Sequence, residues 1–415
     1  MGLLLVKPYL GCNLNCKYCY ERKYRKAKKL NLSKVKSQYD LKKIFKEMKE
    51  FKDYQQVLHG GEPLVMGKKD VRKILMKMKK LTGRSGIQTN GFLIDDDFIK
   101  IFKECNTSVG VSYDGPGELS KFRPGTSNLD EKVKKMVKQG LRVSMIMVIS
   151  KANAGNDKLL KRLKKYLLEL NELKVCGRLN PCAGAPGFEL GEKRLIKVYL
   201  DLADFCLTHN LRWSPFIDMV NGLQGKCRVC TFSSCDIFHT KSATVLVGDG
   251  SISNCMRTNE KEIILRHPAE YNTRDEILKE TPQEFGGCLN CEYFDACHGG
   301  CPTQAIDNDW RNRTYLCPFY KALFQFYEKT LDFFGFHPSH QKCAEGMRSK
   351  GIDQGHQDGH GDWPNHGDSN QINFEQKKEN PIPEDLKTKG RDSKHQDDGH
   401  GDWPNHKDSA HKVSN

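Results

Sequence analysis

Cysteine is the residue type through which this sequence can do redox or metal chemistry. Three cysteines fall close together, Cys12, Cys16 and Cys19, spaced CxxxCxxC within GCNLNCKYCY. Three thiolates at this spacing can hold three corners of one iron–sulfur cubane. A fourth cysteine is missing, so one iron stays open to an outside ligand, an arrangement for catalysis rather than electron carriage alone. A zinc site would need a fourth ligand nearby, and the segment offers no histidine. A second set lies downstream. Cys235 is followed after 14 residues by Gly250 and after four more by Cys255; Cys288, Cys291, Cys297 and Cys301 then read CxxCxxxxxCxxxC, with Cys317 after a gap. A pair of zinc ribbons shares the CxxC spacing and stays open for this second set. Cys105, Cys176, Cys182, Cys206 and Cys343 have no partner spacing and suit small buried side chains.

The chain that must position these thiols has 415 residues, 37% apolar and 29% charged, enough for two to three soluble domains. It has no apolar run of about 18 residues, and its opening is too short and too quickly polar for a signal peptide. Seventeen cysteines are therefore expected in the cytoplasm, as metal or redox groups rather than disulfides. The formal charge of +15 is spread along the chain without a zinc-finger or RNA-binding signature, so neither nucleic acid nor membrane is expected as a partner.

Over the first 180 residues six β-rich runs (LLLVKPYL, QQVLHGGEP, GIQTNGF, TSVGVSYDG, RVSMIMVIS, KVCGRLNP) alternate with amphipathic helical stretches at 41–51, 71–81, 95–104, 130–139 and 158–170. Repeated strand–helix units predict an α/β fold with a parallel sheet, a closed or partial (β/α)6 TIM-type barrel whose chemistry sits at the C-terminal ends of the strands. The expected domains are the barrel at 1–190, a linking helix at 191–226, a cysteine-rich domain at 227–336 and a tail at 337–415. The helical pattern of the link runs over 191–212, and an aromatic helical stretch at 320–334 closes the cysteine-rich domain. The tail's Gly, Asp, His and Asn content predicts disorder.

Further motifs follow the strands in order. Gly60, Gly61, Glu62 and Pro63 read GGEP after the second, Gln88-Thr89-Asn90-Gly91 follows the third, and Ser112-Tyr113-Asp114-Gly115-Pro116 follows the fourth. Two glycines let a backbone approach a ligand closely, a proline fixes a turn, and a carboxylate pairs with a cation. With CxxxCxxC, these motifs resemble the radical S-adenosylmethionine (SAM) superfamily over residues 1 to roughly 335. The resemblance implies a 4Fe-4S cluster on Cys12, Cys16 and Cys19 that reductively cleaves SAM. It places Tyr18 near the adenine, and Gly60, Gly61, Glu62 and Pro63 at the methionine ammonium. Asn90, Ser112 and Asp114 join the cofactor pocket, and Arg123 binds the SAM carboxylate; a surface arginine is the alternative for Arg123. His59 suits a buried histidine as well as a functional one.

The seven downstream cysteines resemble the SPASM extension of radical SAM peptide-modifying enzymes, which carries two auxiliary 4Fe-4S clusters. Following that family's crossed ligation, Cys235, Cys255 and Cys301 hold the first, with Cys230 as fourth ligand, Cys227 as rival, or an open iron. Cys288, Cys291, Cys297 and Cys317 hold the second, making three clusters in all.

The implied function is a radical SAM oxidoreductase that matures a peptide or protein side chain, served by an electron donor such as flavodoxin or ferredoxin. One alternative is a sulfatase-maturase-like formylglycine generator. Those relatives place an aspartate after the second auxiliary cysteine, whereas Met256 and Arg257 follow Cys255 here. Another alternative is a non-enzymatic iron–sulfur electron carrier with a metal- or partner-binding tail, since nine of the 14 histidines lie from His337 onward. The tail reads DGHGDWPNH twice, at 358–366 and 398–406. Each copy resembles the aromatic-x-x motif that cyclophane-forming maturases cross-link, making Trp363, Asn365, Trp403 and Asn405 candidate modified residues in a substrate fused to its enzyme. The chain starts at the first barrel strand, and a tethered substrate needs no separate leader-binding domain. The run at 22–36 has eight Lys/Arg and no acid, a solvated face or a dock for an acidic peptide.

Overall fold

Strand β1 (Leu3–Lys7) buries both of its ends and lies between β2 (Gln55–Leu58) and β8 (Ala243–Val247), parallel to both. Burial on both faces is what turns LLLVK into an almost continuous apolar run. The computed structural model describes residues 2–20, 38–125, 128–226, 243–253, 255 and 273–333. From β2 the sheet continues through β3 (Ser85–Thr89), β4 (Thr107–Ser112), β5 (Val143–Ile149) and β6 (Gly177–Pro181), each parallel to its predecessor. The two-residue β7 (Trp213–Ser214) ends that side, and β9 (Ile252–Ser253) pairs antiparallel with β8 at the other. The order β7-β6-β5-β4-β3-β2-β1-β8-β9 does not close on itself, so the barrel is partial. All six expected strands are present. The β8–β9 extension was not expected, because β8 comes from the stretch assigned to the cysteine-rich domain.

Helices cross between the strands and cover one face. In α1 (Leu41–Glu50) Asp40 caps the first turn by accepting from Lys42 N, and Ile44 and Met48 face the core. In α2 (Lys68–Thr82) the buried set Val71, Ile74, Leu75 and Met78 follows the helical period, and Gly83, left-handed at φ 78°, stops it. The series continues with α3 (Asp96–Glu104), α4 (Leu129–Lys138), the single turn α5 (Lys151–Ala154) and α6 (Asp157–Glu172). The helix expected to reach residue 212 is α7 (Glu192–Thr208); Asn210 turns the chain at φ 50°, and α8 (Phe216–Leu223) follows β7. In the C-terminal part, α9 (Arg274–Glu280) and α10 (Phe294–Cys297) precede α11 (Cys317–Phe333). Phe319 of α11 meets Tyr199 of α7 edge-on at 4.8 Å, and Tyr327 meets Phe216 of α8 at 6.4 Å. These contacts pack α11 against the barrel's helices. Among the described residues no helix is long and apolar enough to cross a membrane.

Candidate cluster and cofactor site

The C-terminal ends of the strands surround a cleft of about 280 Å3, partly open to solvent, and Cys12, Cys16 and Cys19 line it. Cys12 Sγ accepts from Leu14 N at 3.4 Å and from Asn90 Nδ2 at 3.5 Å. Such N–H···S contacts favour a ligating thiolate and raise the potential of a cluster it holds. Cys19 N–H bonds to Cys16 O at 3.3 Å, and Lys17 N–H bonds to Phe122 O at 2.9 Å, tying the cysteine loop to the segment that carries Arg123.

Gly60 and Gly61 also line the cleft, but the approach their small size permits is to the chain itself. A Cβ on Gly60 would sit 2.3 Å from Tyr9 O, and one on Gly61 2.2 Å from Leu10 O. Gly61 N–H donates to Tyr9 O at 3.1 Å and Glu62 N–H to Gly11 O at 2.9 Å, so the GGEP turn is bolted to the backbone of the cysteine loop. Glu62 and Pro63 are not among the residues lining the cleft. The Glu62 carboxylate is fully buried and accepts from Leu64 N at 3.0 Å, Thr89 Oγ1 at 2.7 Å and Asn90 N at 2.7 Å. In this structure Glu62 braces the β2 and β3 loops and holds the backbone of Asn90, whose side chain reaches Cys12.

Asp114 is a second buried brace. It takes the Tyr18 hydroxyl, Val148 N–H at 2.9 Å and the Arg123 guanidinium at 3.4 and 3.5 Å. Arg123 is only 8% exposed, stacks over the Tyr18 ring at 5.5 Å and places Nη1 3.9 Å from Cys16 Sγ, so it is no surface arginine. Burial alone would lower its pKa; Asp114, with Tyr18 and Cys16, holds it above the ordinary value and fully charged. Burial and Asp114 push the Tyr18 phenol well above its ordinary range, keeping it a donor. Tyr18, Asn90, Ser112 and Arg123 line the cleft, whereas Asp114 holds Tyr18 and Arg123 from behind.

His59 lines the cleft as well. Its Nδ1 accepts Gly60 N–H at 2.8 Å, and burial, helped by nearby Lys7, lowers its pKa to about 3, so the ring is neutral. Sequence reasoning missed Asn180 and Cys182, which line the cleft at the end of β6. Their only signal was position after a strand, for Cys182 carries no ligand spacing.

The second constellation converges too. Cys288, Cys291, Cys297 and Cys317 line one small cavity, walled by Phe294, Tyr320 and Phe324. Burial pushes the Cys288 thiol up to about 12 and raises those of Cys297 and Cys317. Thiols in such surroundings become thiolates by binding a metal. Among the described residues no group of His, Cys, Asp or Glu gathers tightly enough for a single metal ion. Four cysteines lining one cavity supply the donor set that a 4Fe-4S cluster takes. Of the other expected auxiliary ligands, Cys301 lies beside Thr303 at 3.1 Å and Cys255 is partly buried. Cys227, Cys230 and Cys235 fall outside the described residues, as do Trp363, Asn365, Trp403, Asn405 and the basic run.

Residues 6–164 match the family profile described as the Radical SAM superfamily. A cysteine-type anaerobic sulfatase-maturating enzyme of Clostridium perfringens is 25% identical over 356 residues, 78% of this chain and 95% of that protein. A serine-type one of Bacteroides thetaiotaomicron is 25% identical over 383 residues, 80% and 90% of the two chains. The fold is similar to that of native anSMEcpe with bound AdoMet and Kp18Cys peptide (TM-score 0.62, 21% identity, 80% of this chain and 99% of that one). It is also similar to Streptococcus suis SuiB bound to precursor peptide SuiA (TM-score 0.52, 15% identity, 76% and 75%). Residues 6–164 thus carry a radical SAM domain, and over about four fifths of its length the chain is similar to the anaerobic sulfatase-maturating enzymes.

Proposed function

We propose that the protein is a peptide or protein maturase in which Cys12, Cys16 and Cys19 hold the SAM-binding 4Fe-4S cluster. The second auxiliary cluster is held by Cys288, Cys291, Cys297 and Cys317, and the first by Cys235, Cys255 and Cys301 with Cys230. The observation that carries this reading is the shared cleft of the three loop thiols, Tyr18, Asn90 and the Arg123–Asp114 pair. When bound, the cluster and SAM supply a hydrogen-abstracting deoxyadenosyl radical, and the auxiliary clusters supply a sink for the electron released as product forms. The chain's own residues orient and tune. Arg123 offers a fixed guanidinium to a carboxylate, Asn90 donates to Cys12, and Asp114 locks Arg123 and Tyr18 in place. The neutral His59 ring lines the cleft, where Asn180 and Cys182 complete the wall.

The substrate in this reading is the chain's own tail, cross-linked from Trp363 to Asn365 and from Trp403 to Asn405; its support is the twofold DGHGDWPNH repeat. A flavodoxin- or ferredoxin-like protein supplies the electrons. The test is anaerobic reconstitution with SAM and reductant, followed by mass spectrometry of small molecules and of the proteolysed tail. Deoxyadenosine with a tail lighter by two hydrogens per repeat is expected; deoxyadenosine with an unchanged tail refutes the tail as substrate while leaving the radical enzyme intact. The sulfatase-maturating relatives favour a second reading, oxidation of a substrate Cys or Ser to formylglycine. An aldehyde formed on a supplied Cys- or Ser-containing sulfatase peptide would select it.

A further inference from the structure

Arg313 lines the cavity of Cys288, Cys291, Cys297 and Cys317. Its Nη1 donates to Gln283 O at 2.6 Å and Gly287 O at 2.7 Å, which fastens the guanidinium to the loop delivering Cys288. Both acceptors are neutral carbonyls, so the bonds orient the charge without cancelling it. Its Nε is buried and has no hydrogen-bond partner in the protein, an orphaned donor at the wall of a cavity ringed by sulfur. Arg274, only 1% exposed, lies behind the cavity rather than among its lining residues. It donates to the carbonyls of Trp310, His298, Gly300, Gly299 and Asn312 and so braces the strand of chain between Cys297 and Cys317. Lys321 also lines the cavity and holds Gln283 Oε1 at 3.0 Å. The charges of Arg313 and Arg274 bear on Cys288, and those of Arg313 and Lys321 on Cys317.

A cluster on four thiolates carries net negative charge that grows by one on reduction, and a fixed cation beside it, in low dielectric, favours the reduced form. We propose that Arg313, backed by Arg274 and Lys321, sets the reduction potential of the four-cysteine centre, holding it high enough to accept an electron. This rests on the reading that these four thiolates bind a 4Fe-4S cluster. Arg313 acts through the cluster and is a positioning and tuning residue rather than a catalytic one.

The test uses full-length protein carrying Cys12→Ala, Cys16→Ala and Cys19→Ala, which silences the first cluster. The auxiliary signals are followed by EPR in an anaerobic redox titration, with iron and sulfide counted in parallel. Adding Arg313→Gln should shift one signal to lower potential by at least a tenfold change in the reduction equilibrium, about 59 mV for one electron. Iron should be unchanged, and Arg313→Lys, which keeps the charge, should retain most of the parent potential. A glutamine variant within threefold of the parent, or lysine and glutamine shifting alike, overturns the proposal. Should Arg313→Gln lose the cluster, Lys321→Gln removes a second charge from the same wall; about a threefold shift in the same direction is expected, and no shift overturns the proposal. Failure of the underlying reading looks different: Cys317→Ala would then leave the iron count and every auxiliary signal unchanged.

Discussion

Glu62 distinguishes two accounts of the GGEP turn, and Glu62→Gln separates them. If the carboxylate's task is to receive the SAM ammonium, the substitution weakens SAM and leaves the apo fold alone. The structure assigns it three internal donors instead, Leu64 N, Thr89 Oγ1 and Asn90 N. A glutamine can keep its carbonyl oxygen on Leu64 and Thr89, but its amide nitrogen then faces Asn90 N across 2.7 Å, donor against donor. One charge-assisted hydrogen bond is lost and a buried N–H is left unsatisfied, about 3 kcal/mol together. At about 2–4 °C per kcal/mol for a domain of this size, the melting temperature of the apoprotein should fall by about 6 to 12 °C. The assay is anaerobic thermal unfolding of parent and variant, bare and then reconstituted with saturating SAM. Binding to the native state alone adds a stabilisation set by its affinity, so SAM should raise both proteins by the same increment. An apoprotein melting within 2 °C of the parent, with the SAM increment abolished, would refute the bracing role and restore the ammonium contact.

Gly61→Ala should cost the first cluster and spare the four-cysteine one, because the new Cβ lands 2.2 Å from Leu10 O in the cysteine loop and nowhere near the second cavity. Iron analysis showing both sets intact would contradict the close-approach argument. His59 has its folded pKa lowered to about 3 from 6.5, chiefly by burial. Between those values the unfolded chain binds the extra proton, so the stability this residue contributes is full above about pH 6.5 and falls as pH drops toward 3. Chemical denaturation of apoprotein at pH 7 and pH 5 should show the acid loss reduced in His59→Gln; equal losses in the two proteins would place that titration elsewhere.

What could be read from the residues alone follows from how local the determining physics is. Strand–helix alternation and the apolar stripes of α2 and α6 need only neighbouring residues to be recognised, and those elements lie where the periodicity put them. The convergence of the cysteines is similarly legible, since CxxxCxxC and CxxC reflect what one short loop can bring together, and each set shares one cleft or cavity. Cys317, twenty residues from Cys297, still reaches the same cavity. Direction is harder to read. The motif letters announced a carboxylate and two glycines, but only the fold shows that Glu62 faces β3 and that the glycines clear the carbonyls of Tyr9 and Leu10. Both facts depend on where separate loops meet after the sheet has formed. The same holds for β8, which finds β1 across more than 230 residues of chain, with Leu3 paired to Ala243. It holds for Arg313 and Arg274 too, whose partners are backbone carbonyls and leave no pattern of residue types. A carbonyl acceptor constrains no side chain in the sequence, so the groups best placed to tune a cluster are those that motif spacing is least able to reveal.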